Sequence, residues 1–488
     1  MQQSVRGDHD IRRPGLRRAL PTLVLAGITG ACGRTQIDPL ESAGPVANGS
    51  GGASGSGSAG QSGSGGAAGG GDNGVAQIAA GDNHTCVLLV NGQVRCWGKN
   101  NLGQLGYGHT RTIGDDELPS SAGTVSVTTM PGVTVTQLAA AVDRTCALLS
   151  DGSVKCWGDN GFGQLGYGNR TIIGDDELPS SVGPISLSST PGMGAVAIVA
   201  GGNHTCARLA SGPLVCWGLS SNGELGYGNT NTIGDDELPS SAGAVDLTRT
   251  SGVSVTGLGA GRFETCALLS DKTLKCWGLN SFGELGYGNI LTIGDDEPPS
   301  AVGAVSISDS PGLYPISVVG GDFHTCALLS NSGVRCWGSS IDGELGYANR
   351  NRIGDNELPS TAPGVPVSAT PGATVMSLAA GYGHTCAILS NGTLQCWGAN
   401  LYGQLGLGNV NDVGDDEFPS SVGPVSVTSS PGVTVTGVAA GYGHTCAVLS
   451  DGEVKCWGDN HYGQLGYGNR QTIGDDELPS SVGAVSID

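Results

Sequence analysis

Cys146-Ala147-Leu148-Leu149-Ser150-Asp151-Gly152-Ser153-Val154-Lys155-Cys156-Trp157-Gly158 decides the fold, because this stretch returns seven times with an unbroken period of 60 residues. The cysteines fall at Cys86 and Cys96, Cys146 and Cys156, Cys206 and Cys216, Cys266 and Cys276, Cys326 and Cys336, Cys386 and Cys396, and Cys446 and Cys456. A Trp-Gly follows each second cysteine, so the repeat takes up all seven tryptophans and fourteen of the fifteen cysteines. A unit of this size cannot bury its apolar face alone, and the copies must pack side by side.

Within one unit, Thr134 to Ala140, Thr145 to Ser150 and Val154 to Trp157 are β-branched or apolar runs, the last two joined by the turn signal Ser150-Asp151-Gly152. A three-residue loop ending on Gly sets a hairpin register in which Leu149 faces Ser153, Leu148 faces Val154, Ala147 faces Lys155 and Cys146 faces Cys156. The cysteines then form a non-hydrogen-bonded pair with Cα atoms about 4.5 Å apart, within reach of a bridge. Two alternatives compete: fourteen buried thiols, or zinc. Zinc needs Cys-x-x-Cys knuckles or further ligands, and neither recurs. Seven intra-unit disulfides and an oxidising compartment are expected. The Gly-rich run Trp157 to Gly168 lacks the Lys-Ser/Thr of a phosphate cradle and reads as a turn packing Trp157 and Leu165 between neighbours.

Glycine is abundant at 87 residues, charged residues make up 13%, and helix-period apolar patterns are absent, so the class is all-β. The formal charge of −21 repels phosphate backbones, which excludes nucleic acid as a partner. Residues 75–488 accommodate the seven units as one closed domain. Before them, Arg12, Arg13, Arg17 and Arg18 precede the apolar run Ala19 to Ile28, the proportions of a signal peptide over residues 1–32. Ile28-Thr29-Gly30-Ala31-Cys32 resembles a bacterial lipoprotein cleavage box, which makes Cys32 the candidate lipidation site. Residues 33–74, rich in Gly, Ser and Ala, read as a flexible linker. The expected location is therefore the cell envelope, as an outer-membrane lipoprotein touching the membrane through its lipid alone, or the exterior as a secreted protein.

Ala440-Gly441-x-x-His444-Thr445-Cys446-Ala447-Val448-Leu449, then Asp451-Gly452-x-Val454, Trp457-Gly458 and Asn460-x-x-Gly463-Gln464-Leu465-Gly466, resembles the repeat of the regulator of chromosome condensation family. The resemblance implies a seven-bladed β-propeller, in accord with the count of seven repeats. Nuclear members promote nucleotide exchange on a small GTPase and contact chromatin, whereas secreted bacterial members include a proteinaceous inhibitor of β-lactamase. The leader, the paired cysteines and the acidic charge favour the bacterial secreted branch.

Three residue sets are functional candidates. The first is the acidic loop of each unit: Asp115, Asp116 and Glu117; Asp175, Asp176 and Glu177; Asp235, Asp236 and Glu237; and their equivalents to Asp475-Asp476-Glu477. It either holds Ca²⁺ weakly or is a turn whose first Asp caps it and whose following Pro ends it. The second is the slot before Thr-Cys, occupied by His84, Arg144, His204, Glu264, His324, His384 and His444. A slot that accepts either charge reads as a rim position or a strand-end hydrogen bond. The third is the irregularity of units four and five, where Arg262, Phe263, Phe323, Arg350 and Arg352 are the side-chain types that anchor partners. Glu264, Lys272 and Ala348 also break the pattern there. No asymmetric acid, base and nucleophile set stands out, and no cofactor beyond Ca²⁺ is implied. The expected function is that of a monomeric, non-catalytic exported protein binding a protein or surface glycan. The alternatives are guanine-nucleotide exchange and a propeller lyase or hydrolase. Ring closure is expected to pair Gly483 to Ile487 with Val75 to Ala80.

Overall fold

The computed structural model describes residues 74–190 and 192–488; the expected signal peptide, Cys32 and nearly all of the linker lie outside them. Seven three-stranded antiparallel sheets follow one another, each one repeat. In the first blade the strands are Val75–Ala80, His84–Leu89 and Val94–Gly98. The second blade keeps the register read from its turn: Cys146 opposite Cys156, Ala147 opposite Lys155 and Leu148 opposite Val154. Gly152 takes φ +82°, the left-handed residue of that turn. All seven cysteine pairs are bridged, with Cα atoms 4.0 to 4.1 Å apart. A further extended segment returns to each blade's outer edge, as where Val125 N donates to Val94 O at 2.8 Å.

The core lies between blades. Trp157 and Leu165 are fully buried, and a Cβ on Gly106 of the preceding blade would stand 2.7 Å from Trp157 Nε1. Glycine is required where one blade's loop crosses its neighbour's indole. The Gly-rich run is therefore packing, as the sequence indicates.

Closure differs from expectation. Val485 N donates to Val454 O at 2.9 Å within its own blade, and Ser486 O accepts from Ser120 N of blade one at 3.0 Å. The C-terminal segment cannot reach Val75–Ala80, because that strand is innermost and the chain ends on the outside. Instead blade seven meets blade one through contacts that recur at other junctions: Trp97 Nε1 donates to Gln464 O at 2.8 Å, as Trp217 Nε1 does to Gln164 O at 3.1 Å, and Arg470 pairs with Asp115 at 2.6 Å, as Arg170 does with Asp235. The turn after the acidic loop is also reversed. Pro119 starts the short 3-10 helix Pro119–Ala122, and Leu118 precedes it with no side-chain cap. A proline supplies the first helical position well, because it has no N–H to satisfy there.

Candidate functional site

The slot before Thr-Cys is no rim. Its seven residues are 0 to 1% exposed and lie at the blade junctions. His84 Nε2 meets Thr145 Oγ1 of the next blade at 2.9 Å. Thr145 donates its only hydroxyl proton to Gln104 O at 2.9 Å, so His84 must donate through Nε2–H and leave Nδ1 bare. That Nδ1 has no partner among the described residues. Protonating it would bury an unmatched charge, and burial lowers the His84 pKa to about 3. His204, His324, His384 and His444 make the same clasp. Arg144 does more, reaching Gly201 O, Gly202 O and His204 O of blade three. Glu264 does less: its Oε1 is buried without a partner. Desolvation and then the charge of Glu284 push its carboxyl well above the usual range.

These clasps hold the inner strands around a central channel. At one mouth the ends of the inner strands are tied blade to blade through backbone: Asp82 N to Val142 O, Arg262 N to Gly321 O, Asp322 N to Tyr382 O, Tyr382 N to Gly441 O and Tyr442 N to Asp82 O. The side chains at this position are left free of structural duty. Arg262 bridges Asp82 at 3.4 Å and Asp322 at 3.5 Å over the opening. Burial raises the Asp322 pKa to about 7 against the lowering effect of Arg262.

Aromatic residues surround that mouth. Six of the eleven tyrosines are structural, with hydroxyls within hydrogen-bond reach of cysteine backbone, as Tyr167 Oη is with Cys156 O at 3.2 Å. Of the remaining five tyrosines and the five phenylalanines, only Tyr314 and Phe418 lie elsewhere. Phe263 stacks on Phe323 at 5.6 Å, and Phe323 meets Phe282 at 4.9 Å. Tyr382 packs on Tyr442 at 4.4 Å. Tyr402 contacts Gly443 and approaches His461, and the Tyr462 ring lies 5.8 Å from Lys99 Nζ, which pairs with Asp143. Phe162 holds the same loop position as Phe282, Tyr402 and Tyr462. These loops are pre-set: Phe162 N donates to Gln164 Oε1 at 2.7 Å, and Asn160 Oδ1 accepts from Leu165 N.

The residues singled out in units four and five therefore separate. Arg262, Phe263 and Phe323 lie at the mouth, and Arg352 covers Phe282 with its guanidinium 4.6 Å from the ring. Arg350 pairs with Asp415 at 2.7 Å on the outer side, as Arg170 does with Asp235 at 2.6 Å. Sequence reading missed the aromatic residues of units six and seven. They were legible as the tyrosines that do not recur at a fixed offset from each Trp.

In the acidic loops the three carboxylates of Asp115, Asp116 and Glu117 approach within 4.8 Å of one another, as do their equivalents. Burial, then the hydrogen bond to Asp116, raises the Glu117 pKa to about 7. Three oxygens fall short of the six to eight that Ca²⁺ takes.

Residues 49–422 match the family profile of the RCC1-like domain, and residues 435–464 that of the Regulator of chromosome condensation (RCC1) repeat. The Ultraviolet-B receptor UVR8 of Arabidopsis thaliana is 28% identical over 392 residues, which span 80% of this chain and 78% of that protein. The E3 ubiquitin-protein ligase HERC2 of Homo sapiens is 26% identical over 80% of this chain, but the match spans only 7% of HERC2. Among solved structures, Prp20p of Saccharomyces cerevisiae superposes with a TM-score of 0.56 at 22% identity, covering 75% of this chain and 80% of that one. Human WBSCR16 gives 0.58 at 19%, covering 76% and 86%. At such identities the structural likeness speaks for the fold alone, and it agrees with the seven-bladed propeller expected from the repeats.

Proposed function

We propose that this chain, which belongs to the RCC1-like domain family, is an exported, non-catalytic binding protein that docks a protein partner on the aromatic face around its channel mouth. The observation that carries this reading is the gathering on one face of eight of the ten Phe and Tyr side chains not used in packing. Tyr and Phe bury large areas at low entropy cost and are the anchors of protein interfaces. Pre-set loops lower the ordering cost of binding. Prp20p binds Gsp1p and histones, which supports reading a propeller of this fold as a protein scaffold. A partner of protein nature fits better than a glycan, since the mouth itself is a cavity of about 40 Å³. Seven disulfides favour an oxidising compartment over the cytosol that nucleotide exchange requires.

The test is site-specific photo-crosslinking in the native envelope. A crosslinker replacing Tyr402 or Tyr462 should capture one discrete partner, and F282A together with F323A should abolish that capture. Equal capture from position 314, away from the face, would overturn the assignment.

A further inference from the structure

The channel mouth carries a charge arrangement that aromatic anchoring does not use. Asp82, Arg262 and Asp322 come from blades one, four and five and line the same opening. A single nitrogen, Arg262 Nη1, serves both carboxylates, at 3.4 and 3.5 Å. Those contacts are long beside the 2.6 Å of Arg170 with Asp235. The remaining oxygens, Asp82 Oδ1 and Asp322 Oδ2, accept no hydrogen bond among the described residues. Asp322 is only 7% exposed. Two carboxylates thus share one cation in a partly desolvated mouth, where an unmatched charge is costly.

What would supply the missing charge is bounded by shape. The cavity of about 40 Å³ has room for two or three waters, hence for one ammonium head, and excludes a sugar ring or a base. Tyr382 lines it, with its ring packed on Tyr442 at 4.4 Å, so an aromatic pair adjoins the carboxylates. Ammonium groups favour such rings. The chain's net charge of −21 attracts a basic partner from a distance.

We infer that the channel mouth is a socket for one primary ammonium group, the tip of a lysine side chain of the docked protein, held by the free oxygens of Asp82 and Asp322 beside Tyr382. This rests on the reading of the surrounding face as the docking surface. The Asp322 pKa of about 7, raised by burial, fits a carboxylate short of positive charge. Arg262 is then a competitor for the carboxylates and not a ligand of the partner.

The probe is Nα-acetyl-lysine methylamide, followed by saturation-transfer NMR on the intact disulfide-bonded protein at pH 8, where Asp322 is ionised. Its ε-methylene should receive saturation. The signal should fall at least fivefold for the Nζ-acetylated probe, and likewise for the D82N/D322N variant. R262Q, compared with the wild type at about pH 9 because losing the guanidinium lets the Asp322 pKa rise further while the probe's amine stays charged, should strengthen binding severalfold by removing the competitor. Near-UV circular dichroism of the tryptophans checks that each variant is folded, and D322N alone gives a milder second variant. Equal signals from the free and acetylated probes would overturn the socket, as would binding unchanged in D82N/D322N or lost in R262Q. Crosslinking at position 402 that survives in D82N/D322N removes the socket and leaves the docking face. Probe binding with no capture at positions 402 and 462 removes the face and leaves the socket.

Discussion

Replacing Glu264 by His should stabilise the propeller, since Glu264 sits where five other blades place a clasping histidine. Its Oε1 is buried without a partner. Thr325, which faces it across the junction of blades four and five, donates its hydroxyl to Glu284 O at 2.9 Å and receives nothing from Glu264. A buried polar atom left unmatched costs about 1–3 kcal/mol, and a restored hydrogen bond contributes about 1 kcal/mol net. Glu264→His should therefore gain on the order of 2–4 kcal/mol. Because about 1 kcal/mol moves the Tm of a 150–250-residue domain by about 2–4 °C, and of a larger one by less, calorimetry should show a rise on the order of 3–8 °C. Glu264→Gln provides the control, with the same shape and no ionisation. The carboxyl pKa is raised by folding, so the wild-type contribution is full below the unfolded value of 4.5 and is lost as pH rises. The advantage of Gln over Glu should accordingly widen from pH 5 to pH 8. A Glu264→His protein with unchanged or lower Tm, or a Gln advantage flat with pH, would refute the account of the clasp.

Acid should unfold the protein sharply. The buried His84, His204 and His384 have pKa values lowered to about 3, and His324 and His444 to about 4, so each loses about 1.4 kcal/mol of stability per pH unit below the unfolded value near 6.5. Between pH 7 and 4.5 the glutamates raised to about 7, such as Glu117 and Glu177, act in the opposite direction; below 4.5 the imidazoles act unopposed, and near-UV dichroism should collapse between pH 4.5 and 3, a native signal at pH 3 being the contrary result. Removing one bridge as C146A/C156A should cost about 2–3 kcal/mol in a urea melt, given its short loop, and no loss would show that the bridge constrains nothing. Lys272, Ser332 and Ala348 hold positive φ at 71°, 63° and 56° where other blades place Gly, so converting all three to Gly should raise the urea midpoint, since the left-handed strain of about 1 kcal/mol each is relieved.

The parts legible from sequence were those fixed by contacts within one repeat. The hairpin register followed from Ser150-Asp151-Gly152 alone, because a turn with one left-handed residue leaves a single pairing and puts Cys146 opposite Cys156. What was not legible depends on contacts across blades. Whether His84 faces water or Thr145 is decided by a neighbour 61 residues away, and no local pattern reports it. The tolerance of the slot for Arg144 and Glu264 looked like exposure but reflects two private solutions, one with four acceptors in blade three and one left unsatisfied. Ring closure was misjudged for the same reason: strand order within the blade puts the chain's last residues outermost.

The position two residues before each slot bears most directly on the proposed docking. It is occupied by Asp82, Val142, Gly202, Arg262, Asp322, Tyr382 and Tyr442, whereas the Thr directly after each slot residue, from Thr85 to Thr445, is the same in all seven blades. The difference follows from what each contributes. Thr is used through its side chain in every clasp, so any change breaks a buried hydrogen bond. The mouth position is used mainly through its backbone, which ties one blade to the next whatever the side chain is. Freedom from packing alone would scatter small and polar residues there. Five of the seven occupants are instead a guanidinium, two carboxylates and two tyrosines packed ring against ring at a tilt, from blades one, four, five, six and seven. Five copies have thus diverged toward a joint arrangement that no single repeat contains, which is the pattern expected when the ligand spans the ring rather than a blade.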